Sequence, residues 1–314
     1  MADVPEIEIP VPWGHVTGKW WGPRDKQPVL ALHGWQDNAG TFDKLAPLLT
    51  PHMALLCIDM PGHGRSSHYP KGQYYYLFWD GLLLVRRIVK HFNWNSVSII
   101  GHSLGGAIGF LYAASFPEEI DKLVQLDIVS PTVRDISRVV NDTGTMIDRF
   151  LKYENLSVEN MPCYNYDEMI GIVVDAYKSS LTKDSSEVMM KRGMVPAASA
   201  TTNGKGDTYN FCRDVRLKVA GMGMLSLDMV LEYATKIKCE VLNLKANPGM
   251  RFDNPQYYGL VLDKVRENAK RVVYHEVEGT HHLHLNNPER ISSHIISFFN
   301  SSTNLPNAGG DAAA

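Results

Sequence analysis

Closely spaced cysteines are missing from this 314-residue sequence: the four present, Cys57, Cys163, Cys212 and Cys239, stand far apart. That spacing excludes the paired ligands of a zinc finger and the density of a disulfide scaffold, and it reads as reduced thiols in an intracellular protein. An excess of positive charge is absent too. With 31 Lys and Arg against 34 Asp and Glu, the formal charge is −3, so no basic field is available to neutralise phosphates, and nucleic-acid binding is not expected. No run approaches the roughly 20 apolar residues of a membrane-spanning helix, so membrane insertion is not expected either. Residues Met1 to Pro12 carry Asp3, Glu6, Glu8 and three prolines in place of the basic start and apolar core of a signal peptide. The expected location is the cytoplasm. What is present is an ordinary apolar content, 44%, enough for a sizeable buried core.

Short apolar runs of strand character alternate with longer segments of helical period, which argues for an α/β fold with a mainly parallel sheet flanked by helices. The strand candidates are Val29 to His33, Met53 to Asp59, Ser96 to Gly101, Lys122 to Asp127, Glu240 to Leu244 and Arg271 to Val277. Between them, Thr41 to Leu49, Tyr74 to Phe92, Leu104 to Ser115, Leu225 to Ile237, Gln256 to Asn268 and Pro288 to Asn300 read as helices. Glu6 to Pro12 and His15 to Trp21 read as an antiparallel pair ahead of the parallel part. The alternation stops after Ile128. Residues 131–225 hold helical patterns (Met146 to Leu156, Asp167 to Leu181, Ser186 to Val195), no strand, and a polar loop from Ala197 to Thr208, which reads as a helical cap inserted between core segments 1–130 and 226–301. Eight of the thirteen methionines fall in this insertion, where they either roof a ligand or fill the insertion's own core. Residues 302–314 are small and polar and read as a disordered tail.

The segment Gly101-His102-Ser103-Leu104-Gly105 follows the strand VSII and precedes the helix LGGAIGFLYAAS, which is the pattern and context of a nucleophile elbow. A serine on so sharp a turn needs small neighbours, and Gly101, Gly105 and Gly106 supply the room. The helix start also sets the Leu104 N–H beside the serine oxygen, where it can stabilise developing negative charge. Serine is a weak nucleophile and needs a base; three histidines, His281, His282 and His284, lie in one late segment. No HExxH or nearby carboxylate completes that cluster as a metal site, so no metal is expected.

On these residues the chain resembles the α/β-hydrolase superfamily. His33-Gly34-Trp35 is similar to the family's oxyanion loop, which implies Trp35 N–H as the second donor. Asp59 to Ser67 (DMPGHGRSS) resembles its DxPGHGxS segment. Thr280 to His284 followed by Asn287-Pro288-Glu289 resembles the segment carrying the catalytic histidine, which selects His281, although Thr280 departs from the family's glycine. His33, His63 and His102 are usually structural in that family, and His282 and His284 are expected to pack or bond locally. More narrowly, VPWGH, HGWQDNAGTFDKL, DMPGHGRSSHY and GHSLGG resemble the serine hydrolase-like, or Kraken-like, group.

Two aspartates compete for the acid. Asp127 stands at the carboxyl end of KLVQLD, where ligands and catalytic groups gather in open α/β sheets. The resemblance more often implies an acid after the next strand, but Asn247 and Pro248 occupy that place and Asp253 comes late. Asp127 is favoured and Asp253 is the alternate. The resulting expectation is a serine hydrolase acting on a small to medium carboxylic ester or thioester through an acyl-serine, with no metal, nucleotide, flavin or other cofactor. The competing class is a ligand-binding or very slow member that uses the cap as a sensor. Fold alone does not decide between them, and the oligomeric state is not legible.

Overall fold

Val-, Ile- and Leu-rich runs too short for helices form strands here, and those covered on both faces are wholly buried. The computed structural model describes residues 4–75, 77–157, 160–177, 180–197, 207–219, 222–251, 254 and 256–301. In chain order the core holds β1 (Glu6–Val11), β2 (Gly14–Trp21), β3 (Val29–Leu32), a 3-10 turn (Ala39–Phe42), α1 (Ala46–Leu49), β4 (Leu55–Ile58), α2 (Leu77–His91), β5 (Val97–His102), α3 (Leu104–Ser115) and β6 (Ile120–Leu126). The next segment holds α4 (Ile136–Glu154), α5 (Tyr166–Ala176), α6 (Lys183–Gly193), β7 (Met194–Pro196) and β8 (Tyr209–Phe211). The chain then continues through α7 (Leu227–Ala234), β9 (Glu240–Pro248), α8 (Tyr257–Arg266), β10 (Arg271–Gly279), α9 (Leu283–Asn286) and α10 (Glu289–Asn300).

Eight strands form one sheet in the order β1-β2-β4-β3-β5-β6-β9-β10. The pairs β1–β2 and β2–β4 are antiparallel, and the rest are parallel. Alternate residues of each strand feed opposite faces. In β3, Leu30 and Leu32 join a core with residues of α2, α3, α7 and α8, while Val29 and Ala31 join one with α1 and α10. This is the fold expected, with every core strand at its anticipated place. The expected helix Thr41 to Leu49 is divided: Asn38 caps the 3-10 turn by accepting from the Gly40 amide, and Pro47 restarts the chain as α1.

Residues 131–225 differ more from expectation. α4 begins ten residues before the anticipated Met146, because Asp135 caps it by accepting from the Arg138 amide. Strand is present here as well: β7 and β8 pair antiparallel, extended by a Tyr164–Tyr209 bridge. Three-residue strands are below the length at which alternation is readable. Residues 198–206 of the polar loop and 302–314 of the tail lie outside the described residues. Met169, Met189 and Met190 fill a buried cluster between α5 and α6, so for them the core-filling alternative holds, whereas Met224 lines a cavity near Ser103. The segment is fastened to the sheet by the buried Arg192, which donates to Asp59 at 2.6 Å, Glu6 at 2.7 Å and the Thr17 hydroxyl at 3.1 Å. Removing one partner of so buried a pair costs about 3–5 kcal/mol. All four cysteines are free, and no helix among the described residues is long and apolar enough to cross a membrane.

Candidate active site

β5 ends at His102 and α3 starts at Leu104, so the single residue between them must reverse the chain. Ser103 does so at φ 49°, ψ −116°, a left-handed conformation that a side chain adopts only under constraint. Its amide donates to the Leu126 carbonyl at 3.2 Å and its carbonyl accepts from the Ala107 amide at 3.0 Å. A Cβ at Gly105 would lie 2.1 Å from the Leu32 carbonyl oxygen, so glycine is what lets α3 press against β3. Ser103, Leu104 and Trp35 line one cavity of about 190 Å³. Among the described residues, neither the Trp35 nor the Leu104 amide donates a hydrogen bond.

The Trp35 loop is held by two buried imidazoles. His33 accepts from the Met60 amide through Nε2 at 2.9 Å and donates through Nδ1 to the Gly34 carbonyl at 2.7 Å. His63 accepts from the Gln36 amide through Nε2 at 3.2 Å and donates through Nδ1 to the Pro61 carbonyl at 3.0 Å.

Asp127 stands directly after β6, wholly buried, at φ 51°. Its carboxylate accepts from the Ala246 amide at 2.9 Å, the Met250 amide at 2.6 Å and the Lys245 ammonium at 2.9 Å, and it meets His281 Nδ1 at 2.7 Å. Burial by itself would raise this carboxyl, but His281 and Lys245 hold it below the usual carboxylate range. An ionised carboxylate only accepts, so His281 Nδ1 carries a proton, and in the neutral ring Nε2 is left with the lone pair. His281 lines a second cavity with Thr280, Tyr177 and Pro248, and Met250 walls both cavities.

The fold thus brings Asp127 to His281, and Ser103 to Trp35 and Leu104. Ser103 and His281 are not hydrogen-bonded to each other, but His102, next to Ser103, donates through Nε2 to the His281 carbonyl at 3.0 Å. Asp253 lies outside the described residues. Asn247 is exposed and donates to Glu276 at 2.6 Å. Lys245, Met250 and Asp37 were not singled out from sequence. For Lys245 and Met250 no local pattern marks a residue that serves through its position beside a strand end, whereas Asp37 could have been noticed in HGWQDN.

Asp37 also supplies the carboxylate that the sequence around the late histidines lacks. It is buried beneath the elbow, accepts from the Tyr177 hydroxyl at 2.8 Å, and lies 3.2 Å from His102 Nδ1 and 3.4 Å from His282 Nε2. Burial would raise its carboxyl, but the His282 and His102 rings hold it well below the ordinary range. Ligand atoms of Asp37, His102 and His282 all lie within 4.8 Å of one another, so these three are the residues that could hold a metal ion. His282 Nδ1 meets the Ser180 hydroxyl at 2.7 Å and His284 Nε2 the Thr41 hydroxyl at 2.8 Å.

These imidazoles bear on stability. Burial lowers the pKa of His63 to about 3 and of His102 to about 3, and lowers those of His33 and His284. An unfolded histidine binds its proton near pH 6.5, so between that pH and about 3 the unfolded chain holds more protons and stability falls as pH falls. His63 and His102 alone contribute a loss of about 4 kcal/mol from pH 7 to pH 5, or roughly 6 °C in Tm. Calorimetry at the two pH values checks this, and an unchanged Tm would refute it.

A family model described as alpha/beta hydrolase fold matches residues 27–154. The Drosophila melanogaster protein named "Probable serine hydrolase" is 53% identical over 293 residues, covering 93% of this chain and 87% of the fly protein. A "Serine hydrolase-like protein" of Danio rerio is 34% identical over 296 residues, covering 93% and 87%. A structure of a hypothetical protein from Pseudomonas aeruginosa matches at TM-score 0.80 and 27% identity, over 95% of this chain and 100% of that one. With the parallel sheet and the strained Ser103 turn already in view, identity at this level over nearly the whole length places the chain in the serine hydrolase-like family of α/β hydrolases.

Proposed function

We propose that the protein hydrolyses a small carboxylic ester or thioester, with Ser103 as nucleophile, His281 as base, Asp127 orienting His281, and the Trp35 and Leu104 amides as oxyanion donors. Ser103 Oγ bonds to the acyl carbon and gives its proton to His281 Nε2. The bond to the leaving oxygen or sulfur then breaks, and that atom takes the proton from His281. Water, deprotonated by the same nitrogen, attacks the acyl-serine, and the proton returns to Ser103 as the acid departs. The observation carrying this reading is the 2.7 Å contact between His281 Nδ1 and an ionised Asp127, which leaves Nε2 basic. Contacts between nucleophile and base commonly tighten only once substrate is in place, which fits the missing bond between Ser103 and His281.

The test is labelling with a fluorophosphonate and mapping of the adduct. The expected result is one adduct, on Ser103, blocked by an ester substrate. A folded protein that stays unlabelled would sink the catalytic reading in favour of a ligand-binding role.

A further inference from the structure

The cavity at Ser103 is walled by apolar groups, among them Trp35, Phe78, Ile128 and Met224, and Arg134 is the one cationic residue of its lining. Arg134 is half-buried on the loop between β6 and α4. Among the described residues no carboxylate forms an ion pair with it, and it makes no hydrogen bond. Its neighbour Asp135 is engaged elsewhere, accepting from the Arg138 amide at 2.9 Å. Of the other withdrawn guanidinium groups, Arg192 pairs with Asp59 and Glu6 and Arg216 with Asp214, while Arg213 lies over the Phe211 ring at 4.1 Å. The loop is anchored at its base, where Ser130 Oγ and the Tyr257 hydroxyl lie 2.5 Å apart and that hydroxyl also donates to the Pro131 carbonyl.

An arginine partly withdrawn from water, against an apolar wall and without an anion among the described residues, is a binding group in want of a partner. Its planar fork matches a carboxylate in a two-pronged contact. The cavity, about 190 Å³, holds roughly six waters at about 30 Å³ each, room for a chain of a few carbons. We propose that Arg134 is the anion subsite of the acyl pocket, so that the preferred substrate is an ester or thioester whose short acyl chain ends in a carboxylate. This inference rests on the hydrolase reading above for its chemistry, but the anion site can be tested without it.

Two ethyl esters of matched shape serve as probes: ethyl hydrogen succinate, ending in a carboxylate, and ethyl 4-methylpentanoate, ending in an isopropyl group. Arg134→Gln is expected to lower the ratio of kcat/KM for the first over the second by about 10- to 100-fold, as loss of a charge-assisted pair does. Arg134→Lys, which keeps the charge but not the fork, should restore part of that ratio. An unchanged ratio in a folded Arg134→Gln protein overturns the proposal. If neither ester is cleaved, the fluorophosphonate label on Ser103 decides the hydrolase reading, and calorimetric binding of ethyl hydrogen succinate to Ser103→Ala with and without Arg134→Gln still decides the subsite. A loss of about tenfold or more in affinity supports it. Affinity that is equal in the two proteins, or undetectable in both, overturns it.

Discussion

Replacing Ser103 by alanine is expected to lower ester turnover about 10⁵-fold or more, because nothing else in the proposed site can bond covalently to the acyl carbon. The fold should survive. The substitution removes one hydroxyl that is not bonded to His281, while the backbone bonds to Leu126 and Ala107 that shape the turn remain. Alanine must still adopt φ 49°, a strain the serine already bears, so stability should change by less than about 1 kcal/mol. Initial rates with a nitrophenyl acetate, read beside the denaturation midpoint, separate the two effects. Hydrolysis near the wild-type rate in the alanine protein would move the chemistry to another residue.

Asp127→Asn is expected to cost about 10⁴-fold in turnover, since an amide in that place no longer holds His281 in the tautomer that leaves Nε2 basic. The same carboxylate also receives two backbone amides and Lys245. An amide NH₂ turned toward those donors loses bonds, so some destabilisation accompanies the kinetic effect. The two are told apart by the pH–rate profile, because a defect in orienting the base changes its shape and a fall in folded fraction scales it uniformly. Asp253→Asn is the paired control and should change turnover by less than about threefold, as expected of a residue outside the proposed triad. A dead Asp253→Asn beside an active, folded Asp127→Asn would transfer the acid role to Asp253.

The fold was legible because each buried strand is a compact apolar run, such as VLAL or LLCI, between segments of helical period. The elbow was legible because its glycines answer to a steric demand that shows in one dimension. α4 was misjudged at its start for a physical reason: Ile136, Val140, Ile147 and Leu151 are all exposed, so its apolar stripe does not mark a buried face there. Asp37 escaped notice because its partners, Tyr177, His102 and His282, are distant in sequence, and only the folded chain brings a carboxylate under the elbow. The same holds for Lys245, whose charge reads as solvated until β9 sets it against Asp127. The choice of His281 among its neighbours came from resemblance, since three histidines within four residues carry equal chemistry when read alone.

β10 is the last strand of the sheet and, among the described residues, pairs only with β9. His281 follows two residues after it, whereas Ser103 and Asp127 follow interior strands. A terminal strand bonded along one side opens at lower free energy than strands held on both. Fraying there would withdraw the imidazole while the elbow and its helix stay intact. Under the proposed mechanism, loss of turnover by heat or denaturant is therefore expected to be a local event at one margin of the molecule, separable from melting of the whole and running ahead of it.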